Sequence, residues 1–304
     1  MRYNAFGKTG YNISAVAYGG IVSAARYDST VMPGDGQAAS DGYVRFAIER
    51  GVNYFDVAPS YGDAEDRLGP SLQPYRKQVW LACKTGQRRR AEAEAEMRRS
   101  LQRLRTDYFD SYQLHALSTM EDLDIAFGPG GVMELMRDMR EQGLARKIGF
   151  TAHTEAVALK ALSMYDFDTV LFPYNWHMNM AHGMGSALIE ACRAKGVGAL
   201  CMKSMIDRKW DPGEREISKY PKSWCKPLDA DADGEVLIAA MKYALSLGVD
   251  TLIPPGNFDH FRFAVEHIDE AVDHPLTDDD KALLAARLET VKDRPFFGPE
   301  SYAL

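Results

Sequence analysis

The chain has 304 residues, of which 46% are apolar, and this is enough to bury a large core in one α/β domain or in two ordinary domains. Its formal charge of −7 argues against a basic surface for nucleic acid or for anionic membranes, so we expect neither partner. No stretch reaches the roughly 18 apolar residues of a membrane span, and the N-terminus lacks the apolar core of a signal peptide. We therefore expect a cytoplasmic location. The four cysteines have no C-x-x-C spacing, so no metal site is predicted.

Short β-rich runs alternate with amphipathic helical stretches along most of the chain, a pattern typical of repeated βα units. Eight strands are predicted, at 13–19, 52–57, 78–84, 109–115, 146–151, 168–174, 197–203 and 249–254. The helices predicted between them include 41–51, 95–105, 131–143, 185–196 and 235–248. Eight strands separated by helices favour a closed (β/α)₈ TIM barrel over an open doubly wound sheet. Because no segment resembles a linker, we expect a single domain over residues 1–304.

Several segments lie outside this eight-fold repeat. A Gly-Lys-Thr-Gly turn within 2–14 predicts an N-terminal hairpin at the bottom of the barrel. Thr277, followed by acidic residues, predicts an extra C-terminal helix over 277–291. The basic run from Arg88 to Arg90 is interpreted as the solvated start of a charged helix. Three long connections follow strands, a position where loops are usually functional: 22–38, 116–130 and 204–233.

Four polar residues are predicted near the ends of neighbouring strands. Asp56 and Lys84 lie at two strand ends, Tyr61 follows the first of them, and His115 ends the next strand. Each has an ordinary structural explanation when taken alone: a capping aspartate, a half-buried tyrosine, a surface lysine and a core histidine. Their coincidence at one side of a barrel mouth is what favours a catalytic site.

Proton transfer to a carbonyl oxygen during hydride transfer needs this set of groups. A free phenol titrates near pH 10, and an adjacent ammonium lowers that pKa. We therefore expect Lys84 to lower the pKa of Tyr61 and Asp56 to keep Lys84 charged. His115 would donate a hydrogen bond to the substrate oxygen and orient it.

At these motifs the chain resembles the aldo-keto reductase family. The matching segments are "GVNYFDVAPSYGDAEDRLG", "WLACKTG", "SLQRLRTDYFDSYQLH" and the opening "FGKTGYNIS". The resemblance implies an NAD(P)H-dependent oxidoreductase that reduces an aldehyde or ketone, or oxidises an alcohol or sugar lactol in reverse. It makes Tyr61 the proton donor, with Lys84 and Asp56 tuning it and His115 orienting the carbonyl. The same fold also serves as a cofactor-sensing regulatory module with little turnover, which is the alternative function.

The resemblance also implies a nicotinamide cofactor, usually NADP(H), with NAD(H) as the alternative. Thr151 stands where the family commonly has a serine, whereas Ala152 cannot replace the usual asparagine, and Leu171 stands in place of a glutamine. Met202 would pack on the nicotinamide ring. The full set of cofactor-binding candidates is Gly20, Thr151, His153, Asn175, Met202, Lys203, Gly256, Asn257 and Arg262.

Two of these candidates have other interpretations. Lys203 has three interpretations: it approaches the cofactor phosphates, or it pairs with an acid at the rim, or it forms a Schiff base. The third agrees least with the surrounding motifs. Arg262 clamps a 2′-phosphate or is a solvated helix residue. The substrate is expected to be a small carbonyl compound or sugar, and no oligomeric state is predicted. The aromatic residues that would line its pocket, or else pack within their own loops, are Tyr27, Trp176, His177, Trp210, Trp224, Phe296 and Phe297.

Overall fold

The structure is a computed structural model that describes residues 1–27, 30, 31 and 36–303. Its strands, numbered in chain order, are β1 (Tyr3–Ala5), β2 (Asn12–Ser14), β3 (Tyr18–Gly19), β4 (Arg26–Tyr27), β5 (Thr30–Val31), β6 (Tyr54–Asp56), β7 (Trp80–Thr85), β8 (Phe109–Leu117), β9 (Ala145–Ala152), β10 (Thr169–Phe172), β11 (Gly198–Met202), β12 (Ile206–Arg208), β13 (Lys226–Pro227) and β14 (Thr251–Ile253). Its α-helices are α1 (Gly36–Glu49), α2 (Ala64–Leu72), α3 (Arg90–Arg103), α4 (Met120–Phe127), α5 (Val132–Glu141), α6 (Glu155–Met164), α7 (Trp176–His182), α8 (Ser186–Lys195), α9 (Gly234–Ser246), α10 (Phe258–Asp273) and α11 (Asp278–Val291).

Eight of the strands form one parallel sheet, in the order β3, β6, β7, β8, β9, β10, β11, β14. The sheet closes on itself because Leu252 in β14 exchanges backbone hydrogen bonds with the segment before β3. The Ala17 N–H donates to the carbonyl of Leu252 at 2.8 Å, and the Leu252 N–H donates to the carbonyl of Ala15 at 2.9 Å. The predicted (β/α)₈ barrel is therefore confirmed.

The hairpin of β1 and β2 covers the bottom of the barrel, as predicted. Phe6 lies between these two strands and packs edge-on against Tyr54 and Trp80, with ring centroids 5.6 Å apart in each pair. Gly198 begins β11 beneath the Phe6 ring, where a Cβ atom would lie 2.5 Å from the ring atoms. A second, larger apolar core lies between the outer face of the sheet and the helices.

The structure changes three details of the sequence prediction. The first predicted strand, 13–19, divides into the end of the hairpin and the short barrel strand β3. The connection 116–130 contains helix α4, whose N-cap Thr119 and Asp122 form a capping box. The connection 204–233 contains the antiparallel pair β12 and β13.

The C-terminal helix lies outside the barrel repeat. The extra helix α11 begins after Thr277, which accepts a hydrogen bond from the Asp280 N–H at 3.1 Å, as the capping signal predicted. No helix in the described ranges is long and apolar enough to cross a membrane.

Candidate active site

The structure brings the four predicted catalytic residues together at the C-terminal mouth of the barrel. Asp56 ends β6, Lys84 lies near the end of β7, and His115 lies near the end of β8, while Tyr61 occupies the turn before α2. The Lys84 ammonium donates to the Asp56 carboxylate and, at 3.1 Å, to the carbonyl of Val57. Its Nζ lies 5.0 Å from the Tyr61 ring centroid, and the Tyr61 and His115 rings are 5.7 Å apart.

Burial and charge act in opposite directions on this group. Burial lowers the pKa of Lys84, but the nearby Asp56 carboxylate and Tyr61 outweigh it, so the net pKa is raised and Lys84 stays charged, as predicted. Burial raises the pKa of Tyr61, and the charge of Lys84 opposes that rise without reversing it. The expectation of a lowered pKa for Tyr61 is therefore wrong in this geometry: the phenol is held in its protonated form.

His115 is held neutral. Burial lowers its pKa to about 3, and the positive charges of Lys84, Arg88 and Lys203 add to the effect. The Ser60 hydroxyl lies 3.4 Å from His115 Nδ1. We assign Nδ1 as the acceptor of the Ser60 O–H, which places the ring proton on Nε2 and makes that nitrogen a donor.

The backbone after His115 is fixed by groups that the sequence analysis did not assign to the site. Ala116 adopts a φ of 52°, and its N–H donates to Thr151 Oγ1 at 2.7 Å. Arg88 donates to the carbonyls of His115 and Ala116, at 2.8 and 3.1 Å, and to the Asp122 carboxylate at 2.9 Å. The interpretation of Arg88 as a solvated helix start is therefore wrong, since α3 begins only at Arg90.

A pocket opens beside Tyr61 and His115. Five of the nine predicted cofactor-binding residues line it, and these are Thr151, His153, Met202, Lys203 and Gly256. They come from the ends of β9 and β11 and from the turn before α10, so the wall is built at the same mouth as the catalytic four. Leu171, which stands where the family commonly has a glutamine, also lines it.

The other four candidates do not line the pocket. Gly20 is buried, and a Cβ there would lie 2.8 Å from the side chain of Val57. Asn257 is the N-cap of α10, and its amide nitrogen is buried with no hydrogen-bond partner among the described residues. Arg262 is about half exposed and faces Asp259, with 3.7 Å between Nη2 and Oδ1. The structure thus favours the solvated interpretation of Arg262.

Asn175 is a correction to the cofactor set, because its side-chain amide is used within the fold. Its Nδ2 donates to the carbonyls of Lys203 and Ile206, at 2.7 and 2.9 Å, and its Oδ1 accepts from the Met178 N–H as the N-cap of α7. Asn175 is fully buried and stabilises the turn after β11. We therefore assign it a positioning role.

The predicted pocket aromatics divide into two groups. Trp224 lines the pocket with its side chain 58% exposed, and Phe297 packs against His153 with ring centroids 5.3 Å apart. The others are used in local packing or hydrogen bonding. Trp176 is fully buried, and Phe296 packs on His177. His177 Nδ1 bonds the Asp207 carbonyl, and Trp210 Nε1 donates to the Ser223 carbonyl. The side chain of Tyr27 lies outside the described residues.

Comparison with known proteins identifies the family. The family model described as "Aldo/keto reductase family" matches residues 31–211, which is more than half of the chain. The chain belongs to the aldo/keto reductase family. Members of this family are oxidoreductases that act on small carbonyl compounds and generally use NAD(P)H.

Relatives of this aldo/keto reductase are distant. Aldo-keto reductase YhdN of Bacillus subtilis is 27% identical over 189 residues, which are 58% of this chain and 54% of that protein, so the match spans about half of the relative. L-galactose dehydrogenase of Arabidopsis thaliana is 27% identical over 248 residues, 73% of this chain and 74% of its own. An aldo-keto reductase structure from Bacillus halodurans superposes with a TM-score of 0.69 at 20% identity, covering 94% of this chain and 96% of that one, and supports the fold.

The pocket and the adjacent N-terminus of α10 carry groups of the kinds that bind a nicotinamide dinucleotide. The unpartnered amide nitrogen of Asn257 and the N-terminus of α10 directly after it offer hydrogen-bond donors to an anionic group. Thr151 and His153 offer polar atoms at the pocket wall, and the Met202 thioether offers an apolar surface for a flat ring. These donor types match a phosphate, a carboxamide and a nicotinamide ring.

One part of the wall was predicted only in part, through Trp224 and the connection 204–233. Residues 222–225, from the connection before β13, line the pocket together with the catalytic residues. Lys222 is buried there, and its Nζ donates to the carbonyls of Ile21, Val22 and Ala24 at 3.0 to 3.2 Å. This joins the loops after the first and seventh barrel strands. A lysine in a polar loop carries no sequence signal for such a contact.

Proposed function

We propose that the protein is an NADP(H)-dependent reductase of small aldehydes, ketones or sugars, with all four polar residues at the barrel mouth taking part in one proton transfer. The observation that carries the proposal is the series of contacts from Asp56 through Lys84 to Tyr61, with the His115 ring packed edge-on against the Tyr61 ring. The relationship to L-galactose dehydrogenase supports the inclusion of sugars. We also propose that the whole chain acts as one domain.

In this proposal Tyr61 gives its proton to the carbonyl oxygen of the substrate. Its raised pKa keeps the phenol protonated before reaction. The fixed charge of Lys84 stabilises the phenolate that forms. Asp56 holds Lys84 charged and in place, since a buried ammonium without a carboxylate tends to lose its proton.

His115 orients the substrate. With a pKa of about 3 it is neutral at pH 7, so it can donate only one ring proton, and the contact with Ser60 leaves that proton on Nε2. A hydrogen bond from Nε2 to the carbonyl oxygen polarises the carbonyl without competing for the proton of Tyr61. The Arg88 contacts to the His115 carbonyl fix the strand that presents the ring.

The cofactor completes the reaction. A reduced nicotinamide dinucleotide, when bound, supplies the hydride. Thr151, His153 and Met202 would hold its nicotinamide end, and the turn before α10 would hold a phosphate. NADP(H) is proposed because the resemblance implies it. NAD(H) is the second candidate, because Arg262 faces Asp259 rather than the pocket.

Substitution of Tyr61 tests the proposal. We expect Tyr61→Phe to lower kcat by at least about 100-fold, the contribution typical of a positioned general acid, with the dissociation constant for NADPH unchanged. Turnover is measured as loss of reduced-nicotinamide absorbance, and cofactor binding by protein fluorescence. Tyr11→Phe, at the opposite end of the barrel against Trp80, is the matched control. Near wild-type turnover in Tyr61→Phe would rule out the proposed proton donor.

A further inference from the structure

Lys203 is a half-buried lysine in the pocket wall whose charge no described carboxylate neutralises. Its Nζ lies 3.4 Å from His153 Nε2 and 3.5 Å from the Met202 sulfur, and 5.7 Å from the centroid of the Phe297 ring. Burial lowers its pKa, and the only described group that opposes this is the thiol of Cys225. None of these neighbours carries a negative charge at neutral pH, because burial raises the pKa of Cys225 and keeps it a thiol.

The backbone at Lys203 is also unfavourable for a lysine. Its φ is 64°, in the left-handed region that residues with a Cβ avoid. The Asn175 amide bonds the Lys203 carbonyl at 2.7 Å and keeps the turn in this shape. Glycine would remove both the backbone strain and the charge that lacks a carboxylate. A lysine at such a place indicates a function for its ammonium group.

Lys203 lines the same pocket as Tyr61 and His115. Its charge contributes to the lowered pKa of both His153 and His115, so it lies within electrostatic range of the residue that orients the carbonyl. Two other lysines near this mouth, Lys84 and Lys222, already have polar partners within the fold. Lys84 is paired with Asp56, and Lys222 donates to three main-chain carbonyls. Lys203 alone among these three lysines has a neutral imidazole and a thioether as its partners.

We propose that Lys203 binds an anionic group on the substrate, so that the enzyme acts on carbonyl compounds that carry a carboxylate, such as a semialdehyde or a sugar acid. Neutral His153 accepts one N–H of Lys203 through Nε2 and fixes its direction, which leaves further N–H donors for the substrate anion. Phe297 packs against both members of the pair and covers part of their surface. The inference rests on the proposed reductase function and deepens it by naming the substrate class.

A binding experiment tests the inference without turnover. Calorimetry with butanoate and with butanamide compares a charged with a neutral ligand of the same shape. We expect wild type to bind butanoate more tightly and Lys203→Met to weaken that binding by about 10- to 100-fold, as expected for loss of a hydrogen bond to a charged group. Lys209→Met, which removes an exposed lysine six residues further along the chain, is the matched control and should leave both affinities unchanged.

A kinetic experiment tests the same preference during reaction. Succinic semialdehyde carries a charged carboxylate at the end remote from the aldehyde, whereas its methyl ester is neutral there and one methyl group larger. We expect wild type to have the higher kcat/KM with the semialdehyde, and Lys203→Met to lower this selectivity by about 10- to 100-fold. Lys203→Arg keeps the positive charge and should retain part of the selectivity. Equal kcat/KM values for the two substrates in wild type would overturn the inference, whether or not any variant folds.

The cofactor is a second source of the same anionic chemistry, and the design separates the two. If Lys203 instead binds a cofactor phosphate, Lys203→Met will raise the dissociation constant for NADPH and lower kcat/KM equally for both substrates, and the inference fails. If neither aldehyde is turned over but butanoate still binds through Lys203, the reductase proposal fails and the anion site stands. If the aldehydes are reduced without charge selectivity, the reductase proposal stands and the anion site fails.

Discussion

Lys84 and Lys203 lie near the C-terminal ends of two strands of the same barrel and show two different environments for an ammonium group. Lys84 donates to the Asp56 carboxylate and to a main-chain carbonyl, and the carboxylate raises its pKa. Lys203 contacts an imidazole and a thioether, and burial lowers its pKa. The fold itself compensates the first charge, whereas the second requires a partner from outside the chain.

Lys222 shows what main-chain dipoles alone achieve. It donates to three carbonyls, yet burial lowers its pKa to about 8, because partial charges do not replace a carboxylate. Of these three lysines, the one paired with a carboxylate has a raised pKa, although Lys222 makes more hydrogen bonds. Because their partners differ in charge, we expect substitution of Lys84 and of Lys203 to change the free energy of unfolding differently.

The largest effect is expected from Lys84→Met. Removing one member of a buried ion pair leaves the other as an unpaired buried charge, so we expect the free energy of unfolding to fall by about 3–5 kcal/mol. Urea denaturation at neutral pH measures the loss.

The double variant Asp56→Asn/Lys84→Met separates the unpaired charge from the loss of packing. Because it removes both charges, it should recover more than half of the lost stability. A cost below about 1 kcal/mol for Lys84→Met alone would contradict the interpretation, since that is the range of exposed ion pairs.

A smaller effect of opposite sign is expected at Lys203. Lys203→Met removes a half-buried charge that lacks a carboxylate, so the free energy of unfolding should stay the same or rise by about 1 kcal/mol. A loss of more than about 2 kcal/mol would place Lys203 among the structural residues.

The pH dependence of these two effects should also differ in sign. The folded-state pKa of Lys203 is lowered, so its cost is fully present below that pKa and disappears as pH rises towards the unfolded value of 10.5. The folded-state pKa of Lys84 is raised, so its contribution persists up to 10.5 and is lost only as pH rises through the folded pKa. Urea denaturation of each variant and wild type at neutral and at alkaline pH compares the two.

The sequence was sufficient for the parts of the site that lie on barrel strands. Asp56, Lys84 and His115 lie near the ends of consecutive strands. Neighbouring strand ends meet at one mouth of the barrel, and this does not depend on the conformation of the loops. Strand periodicity also located all eight barrel strands to within a few residues, apart from the division of the first strand. The geometry of the fold class thus fixes these positions.

The parts that were missed depend on contacts between distant loops. Lys222 reaches the carbonyls of residues 21–24 across about 200 positions of sequence, and Arg88 turns back to the end of β8. Neither contact is indicated by the residues next to Lys222 or Arg88 in the sequence. The rise in the pKa of Tyr61 was missed for a different reason. It depends on the balance between burial and the charge of Lys84, and the degree of burial cannot be inferred from a short motif.

The smallest expected effect concerns the two histidines between the lysines. Burial holds the pKa of His115 at about 3 and that of His153 well below its usual range, with Lys203 lowering both. Neither ring should therefore titrate between about pH 5 and 8 in proton NMR spectra, although histidines ordinarily do so in this range. In Lys203→Met the pKa of His153 should rise, because a positive charge 3.4 Å from its Nε2 has been removed. Lys209→Met should leave both rings unchanged, and a titration step of His153 in wild type would show that the ammonium of Lys203 is not held against it.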